Sequence, residues 1–419
     1  MYDLVLKNCN VINENVESQV DIAIKNQRIE KIAASIDSES SEELDLSGKL
    51  VIPGLIDDQV HFREPGLTHK GEIATESKAA LAGGVTSYFE MPNVNPNTST
   101  IENLEKKFEM ASTKSVGNYS FYLGATNDNI EEIKKHDPKT SCGLKVFMGA
   151  STGDLLVDKY ESLEKIFEHC PTNIVTHCED PKRLVENERL YNEKYGDKLE
   201  AAHHAVIRDE ECCYLSSSLA VGLAKRFGSN LHVLHLSTAR EMELFTTGPI
   251  ENKHITAEGC VHHLTFSDKD YEELGNFIVC NPSIKTEEDR LGIIEAVKAN
   301  KIDIDYRIND VFLDAGQYTW NYSFSKDING ENAPGHWRGI YQYYFDTQRP
   351  HQTPWEMLGF TEKPSWWEGR YGPAPYTRGN TLLWGDLENG HIHQGSRASS
   401  KNNVFRRPGL SNNIPVDDN

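Results

Sequence analysis

Short apolar runs alternate with amphipathic segments along most of the chain from Leu50 onward. We expect strands near residues 51–61, 84–91, 118–125, 143–148, 173–178, 231–237 and 254–258. Helical periodicity lies between them, over residues 72–82, 101–114, 160–169 and 208–227. Such alternation is typical of parallel strands joined by crossover helices. It predicts an α/β fold, a (β/α)8 barrel whose eighth strand begins at residues 301–304 and is then interrupted.

Composition divides the chain near residue 304. All eight cysteines lie at or before Cys280, whereas all six tryptophans lie after Ile304, as do 19 of the 38 aromatic residues. Residues 1–50 show the alternation of short strands and predict a small β subdomain. We therefore expect three parts: the subdomain at 1–50, an incomplete barrel at 51–304, and an unrelated aromatic segment, rich in Gly and Pro, at 305–419.

Charge and cysteine usage limit the kinds of binding partner and the cellular compartment that we expect. A formal net charge of -21 and a pI near 5.2 disfavour nucleic acid. No apolar run has the roughly 20 residues needed to cross a bilayer, and the N-terminal residues lack the pattern of a signal peptide. The cysteines contain no CxxC pair, which favours reduced, buried thiols. We expect a cytoplasmic protein with a small-molecule partner and no membrane partner.

Four apolar runs end in, or lead into, residues that are able to hold a metal. These residues are His61, Lys145, His177 and His235. A single histidine at a strand end is more often structural, but three at corresponding strand ends predict one site, because the carboxyl ends of barrel strands converge. Neutral imidazoles are good zinc ligands. A lysine ammonium would repel a metal, so the residues alone leave Lys145 as a structural or ion-pairing side chain.

A set of motifs in the first 304 residues resembles the dihydroorotases of the cyclic amidohydrolase superfamily. The motifs are DDQVHFREPGLTHKGEI, AGGVTSYFEMPNVNP, GLKVFMGASTG, THCE, HVLHLST, TAEGCVHHL and CNPSIK. The resemblance implies one or two zinc ions bridged by a carbamylated Lys145, with His61 on the first ion and His177 and His235 on the second. It also implies substrate contacts from Arg63, Asn93 and Asn281. The residues alone are also consistent with an Arg63 that forms an ion pair at the protein surface.

The resemblance implies reversible conversion of L-dihydroorotate to N-carbamoyl-L-aspartate in pyrimidine biosynthesis. Two departures bear on that activity. Gln59 stands where the family usually has the first histidine of His-x-His, and an ATDHAPH-type segment, whose aspartate is a ligand and the catalytic base, does not follow Ile304. The catalytic base is therefore unassigned.

Residues 305–419 do not match the family that the barrel resembles. The segment TPWEMLGFTEKPSWWEGRYGPAPYTRGNTLLWGDLENG faintly resembles structural proteins of tailed phages, and the partner of this tail is unknown. The alternative to an enzyme is a non-catalytic scaffold, or a fusion or chimeric chain. The sequence is compatible with a homo-oligomer.

Overall fold

The computed structural model describes residues 1–13, 16–149, 153–250 and 253–305, with the side chains of the last two residues left out. The predicted aromatic tail, from residue 306, lies outside the described residues. Within the described ranges the strands are β1 Leu4–Asn13, β2 Val16–Lys25, β3 Arg28–Ala33, β4 Glu43–Asp45, β5 Leu50–Val51, β6 Leu55–Val60, β7 Val85–Glu90, β8 Asn118–Gly124, β9 Gly143–Phe147, β10 Ile174–His177, β11 Leu231–Leu236, β12 Ile255–Gly259 and β13 Ile304–Asp305.

The α-helices alternate with strands β6 to β13. They are α1 Ile73–Ala82, α2 Ile101–Lys114, α3 Ile130–Lys135, α4 Tyr160–His169, α5 Pro181–Tyr195, α6 Ala201–Ile207, α7 Glu210–Phe227, α8 Val261–Thr265, α9 Tyr271–Leu274 and α10 Glu287–Lys298. No helix in the described ranges combines the length and apolar character needed to cross a bilayer.

The chain separates into two compact units, with the boundary after Leu55. The first unit is a sheet in the order β3-β2-β1-β4, and β5 pairs with β1. Its strands β1 and β2 are antiparallel, and Val5, Ala23 and Ile36 form a small buried core. The boundaries proposed from the sequence, at residues 50 and 304, stay a prediction.

The second unit carries a parallel sheet whose strands follow one another in chain order from β6 to β13. Parallel pairing is continuous from β7 to β13. The central strands β9, β10 and β11 are buried at every position, because helices cover the sheet. The predicted α/β barrel architecture is confirmed, and its eighth strand begins at Ile304, where it pairs with Glu258.

Local signals explain the helix boundaries. Asp180 caps α5 by accepting from the Arg183 backbone N–H at 2.8 Å, with Pro181 in the first turn. Asp209 caps α7 through the Cys212 N–H at 2.9 Å, so the helix begins two residues after the predicted position 208. Gly228 ends α7 in the left-handed conformation, which glycine adopts at little cost. These two helices fix the loops that follow β10 and precede β11.

Candidate metal centre

The carboxyl ends of neighbouring parallel strands bring the predicted ligands to one edge of the sheet. His61 follows β6 directly, Lys145 lies within β9, His177 ends β10, and His235 lies near the end of β11. All four side chains are buried. The positive charge of Lys145 contributes to lowering the pKa of each of the three histidines, which places all four residues in one electrostatic environment.

His177 and His235 are in direct contact. His177 Nδ1 lies 3.1 Å from His235 Nε2, and the two rings meet edge to face. Burial lowers the pKa of both imidazoles, so both are neutral at physiological pH. Zinc bonds to imidazole nitrogen at about 2.0–2.1 Å. The separation is therefore short enough for one ion to bond to both nitrogens.

A buried carboxylate fixes which nitrogen of His177 faces His235. Glu179 Oε2 lies 2.7 Å from His177 Nε2 and 2.5 Å from Arg208 Nη1. Although burial opposes ionisation, Arg208 and His177 lower the pKa of Glu179 to about 2, so this carboxylate only accepts hydrogen bonds. His177 must then donate from Nε2 and present the Nδ1 lone pair to His235. A carboxylate behind a ligating histidine is a common support of metal sites.

The donor set at these strand ends fits a divalent cation. The His177 Nδ1 lone pair faces His235 Nε2, and His235 Nδ1 has no hydrogen-bond partner in the described part of the chain. Either tautomer of His235 thus leaves a buried nitrogen unsatisfied or sets two lone pairs against each other. An ion between the two rings removes the repulsion of the lone pairs, because both facing nitrogens then act as ligands.

Lys145 is buried, and the described residues give it no anionic partner. Its side chain is 1% exposed, its Nζ lies 4.6 Å from the ring centroid of Phe147, and no ion pair to it is found among the described side chains. Burial lowers the pKa of the amine to about 7. Burial thus favours the neutral form of this amine, and a neutral amine is nucleophilic.

Two further side chains meet at the end of β6. His61 Nδ1 lies 2.8 Å from Asn93 Oδ1, which makes that nitrogen the donor and leaves Nε2 available to a ligand. Gln59 is buried, and its Oε1 has no hydrogen-bond partner within the described ranges. Asn93, predicted to contact substrate, thus orients a predicted metal ligand. Gln59 offers only a weak carbonyl donor at the position of the usual first histidine.

Arg63 brings a cation close to His61. Its backbone N–H donates to Glu90 Oε1 at 3.1 Å in a left-handed conformation, and Glu90 also forms a buried ion pair with Lys107 at 3.0 Å. Burial lowers the pKa of the Arg63 guanidinium to about 10, so it stays charged at neutral pH. Its guanidinium forms no ion pair with any side chain that the structure describes. The described residues therefore do not support the alternative that Arg63 forms a surface ion pair.

Asn281 connects to the site through other side chains. Its Oδ1 lies 3.0 Å from His204 Nε2, which also lies 2.9 Å from the Cys280 carbonyl oxygen. Arg208 lowers the pKa of His204, after the larger effect of burial, and Arg208 in turn holds Glu179. Asn281 thus contacts His204, which senses the charge of the Arg208 that holds Glu179.

Sequence reasoning did not single out Glu179 and Arg208. The only signal for Glu179 was its position two residues after His177 in THCE, and a glutamate after a strand is common. Arg208 lies 29 residues further on, at the end of α6, so no spacing rule joins the pair. Only the tertiary fold brings them together, as a buried ion pair.

Buried neutral histidines give a testable pH dependence of stability. Burial lowers the pKa of His204 to about 4 and of His263 to about 3. The unfolded chain therefore binds more protons below pH about 6.5, and the free energy of unfolding should fall as pH falls from about 6.5 to 4. His232, whose pKa is raised to about 9, changes its contribution between about 6.5 and 9, outside this window. Urea unfolding across this range should show the decline in the free energy of unfolding, and the decline should be shallower for the His204→Gln variant. Equal declines in the parent and the variant would contradict the role given to His204.

Comparison with known proteins places this arrangement among related sequences and structures. Residues 48–147 match a family model described as dihydro-orotase-like. The chain is 30% identical over 313 residues to an allantoinase of Salmonella choleraesuis (strain SC-B67), covering 72% of this chain and 68% of that protein. The allantoinase of Salmonella newport (strain SL254) matches with the same identity and coverage.

Solved structures show the same architecture. The L-hydantoinase (dihydropyrimidinase) from Arthrobacter aurescens superposes with a TM-score of 0.68 at 26% identity, covering 73% of this chain and 68% of that one. A dihydropyrimidinase from Brevibacillus agri NCHU1002 gives a TM-score of 0.64 at 21% identity, with the same coverage, and supports the fold alone.

Proposed function

Because the chain belongs to the cyclic amidohydrolase superfamily, whose members are metal-dependent hydrolases, we propose that it opens a six-membered cyclic amide that carries a carboxylate. Dihydroorotate is the proposed substrate and N-carbamoyl-aspartate the product. The observation that carries this proposal is the Arg63 guanidinium, which lowers the pKa of the buried ligand His61 and has no ion-pair partner among the described side chains. A charged group of this kind accepts the substrate carboxylate next to the amide to be cleaved.

We assign the metal to His177 Nδ1 and His235 Nε2, with His61 Nε2 as a further ligand and zinc as the proposed ion. A bound divalent metal polarises the amide carbonyl and lowers the pKa of water. The chain's own residues then have defined tasks. Glu179 holds the His177 ring in one tautomer, and Asn93 does the same for His61. Such support from behind the ligands is typically worth 10- to 100-fold in metal affinity or activity, as an order of magnitude.

Carbamylation of Lys145 is the proposed source of an anionic ligand. The neutral amine attacks carbon dioxide, an N–C bond forms, one proton is released, and the side chain becomes a carbamate anion. Two features of the site favour the reaction. Burial lowers the pKa of Lys145 to about 7, and the described residues supply no competing carboxylate partner. The anion would sit among His61, His177 and His235 and would offset the positive charge of the metal.

Allantoin is the second candidate substrate. A specific finding favours it, since relatives at 30% identity over 72% of the chain are allantoinases. Allantoin and hydantoins are cyclic ureides without the carboxylate of dihydroorotate, so they would leave the Arg63 guanidinium without an anion. Arg63 therefore distinguishes the two proposals.

The Arg63→Met variant tests the substrate class. We expect KM for dihydroorotate to rise by about 10- to 100-fold, because a charge-assisted hydrogen bond is worth roughly 1.5–3 kcal/mol. Turnover of hydantoin or allantoin should be unchanged. Steady-state kinetics with all three substrates measures this difference. An equal loss of activity towards the neutral substrates would show that Arg63 acts on the metal site and does not bind the substrate carboxylate.

The basic test is a ring-opening assay of the purified full chain with zinc and bicarbonate, with dihydroorotate, allantoin and hydantoin in parallel. A higher kcat/KM for dihydroorotate than for allantoin and hydantoin supports the proposal, and a higher kcat/KM for allantoin replaces it with the second candidate. A folded, zinc-loaded chain that turns over none of them would favour a non-catalytic scaffold, consistent with the missing aspartate motif after Ile304.

A further inference from the structure

Three buried side chains inside the parallel sheet converge apart from the centre described above. They come from three different strands: Asp58 from β6, His232 from β11 and Glu258 from β12. Each is at most 6% exposed, and their ligand atoms all lie within 4.8 Å of one another. His232 lies three residues before His235, so this cluster is deeper in the sheet than the strand-end centre.

Each side chain of this cluster has an atom without a hydrogen bond in the described part of the chain. His232 Nε2 lies 3.4 Å from Asp58 Oδ2 and 3.6 Å from Glu258 Oε2, beyond the 2.7–3.2 Å of ordinary N–H···O bonds. In the described residues, Asp58 Oδ1, His232 Nε2 and Glu258 Oε2 have no hydrogen-bond partner. Unsatisfied buried polar atoms are costly, and here three of them belong to one cluster.

We infer that Asp58, His232 and Glu258 form a second metal site, which binds a divalent first-row transition metal through one imidazole and two carboxylates. Bonds of about 2.0–2.2 Å in a tetrahedron separate neighbouring ligands by about 3.3–3.6 Å. The two measured separations fall within that interval. A water molecule completes the coordination, as in other zinc sites with three protein ligands.

Charge supports the same assignment. Two carboxylates in a buried space repel each other, and a neutral imidazole does nothing to offset them. A divalent ion neutralises both carboxylates at once, and it gives His232 Nε2 and Glu258 Oε2, which are otherwise unsatisfied, a bonding partner. The described side chains around the cluster provide no lysine or arginine ion pair to Asp58 or Glu258.

The surroundings hold the three ligands in place. His232 Nδ1 lies 2.8 Å from Thr256 Oγ1, which fixes the ring and directs Nε2 to the carboxylates. The Tyr122 hydroxyl donates to the Asp58 carbonyl oxygen at 3.0 Å. Glu258 Oε1 accepts from Cys260 Sγ at 3.0 Å, which leaves Oε2 for the site. Ligands supported by second contacts of this kind are characteristic of metal centres.

The competing arrangement is a protonated His232 that bridges the two carboxylates without a metal. Burial opposes the charged imidazole, but the carboxylates of Asp58 and Glu258 raise the pKa of His232 to about 9. This arrangement leaves the observed separations longer than hydrogen bonds and one negative charge uncompensated. The following experiment distinguishes this imidazolium bridge from a bound metal ion.

The direct test is a crystal of the full chain grown with zinc, with data collected above and below the zinc absorption edge. We expect an anomalous difference peak bonded to Asp58, His232 and Glu258, in addition to any peak at His177 and His235. In the Lys145→Met protein the deeper peak should remain. A peak at the strand-end histidines with none at the deeper cluster would establish the imidazolium bridge and overturn the inference.

Zinc counting by mass spectrometry gives an independent check on soluble protein. The His232→Gln variant should bind one zinc fewer per chain than the parent, after dialysis against zinc and removal of excess. His136→Gln, which changes a buried histidine hydrogen-bonded to Ser141, is the matched control and should keep the parental count. A His232→Gln protein that folds and retains the full count would contradict the site. If it does not fold, the Asp58→Asn variant decides by the same measure.

Discussion

Replacing Lys145 with methionine should abolish most of the hydrolytic activity while leaving the fold intact. Methionine has a similar length and is apolar, so it removes the cost of burying an amine, and thermal stability should be equal or higher. The loss arises because no carbamate can form, and an anionic ligand among His61, His177 and His235 is missing. A metal contributes several kcal/mol to transition-state stabilisation, so activity should fall by about 10³-fold or more.

The pH dependence of bicarbonate activation gives this prediction a second readout. The pKa of Lys145 is about 7, so the nucleophilic neutral amine predominates only above that pH. Reactivation of metal-free protein by bicarbonate and zinc should be efficient at pH 8 and poor at pH 6. Lys106→Met, on the exposed face of α2, is the control and should behave like the parent. Bicarbonate-independent activity in Lys145→Met would mean that the lysine is only structural.

The barrel part of this fold was predictable because local patterns determine it. Strands β6 to β12 lie within a few residues of the apolar runs, and α2 and α4 have the expected bounds. Parallel strands expose their carboxyl ends at one edge, so the grouping of His177 with His235 followed from position alone. The neutral state of Lys145 did not follow, because it depends on burial by residues distant in sequence.

The supporting contacts could not be predicted for the same reason. The role of Glu179 depends on its ion pair with Arg208, which lies 29 residues away in the chain and meets it only in the folded protein. Asp58, His232 and Glu258 lie on three strands, and their side-chain directions depend on register; between β11 and β12 the register shifts between Val233 and Leu236. A pattern of alternation cannot locate such a shift, so it cannot assign these residues to one cluster.

Replacing Glu179 with glutamine should damage both stability and metal binding. The neutral amide keeps the shape but leaves Arg208 as a buried cation without its carboxylate, and breaking a buried ion pair from one side costs about 3–5 kcal/mol. The amide can also donate to His177 Nε2, which releases the ring from the tautomer that presents Nδ1 to His235. We expect zinc affinity to fall by about 10- to 100-fold.

Two variants separate these effects. Glu186→Gln removes an exposed carboxylate on α5 and should change neither property measurably. The double variant Glu179→Gln, Arg208→Met removes the unpaired cation, so urea unfolding should show that it recovers much of the lost stability, while zinc competition assays should show affinity still reduced. Recovery of both properties together would show that Glu179 serves only to neutralise Arg208. Recovery of stability alone establishes that the carboxylate acts on the metal ligand, because only the hydrogen bond to His177 remains missing.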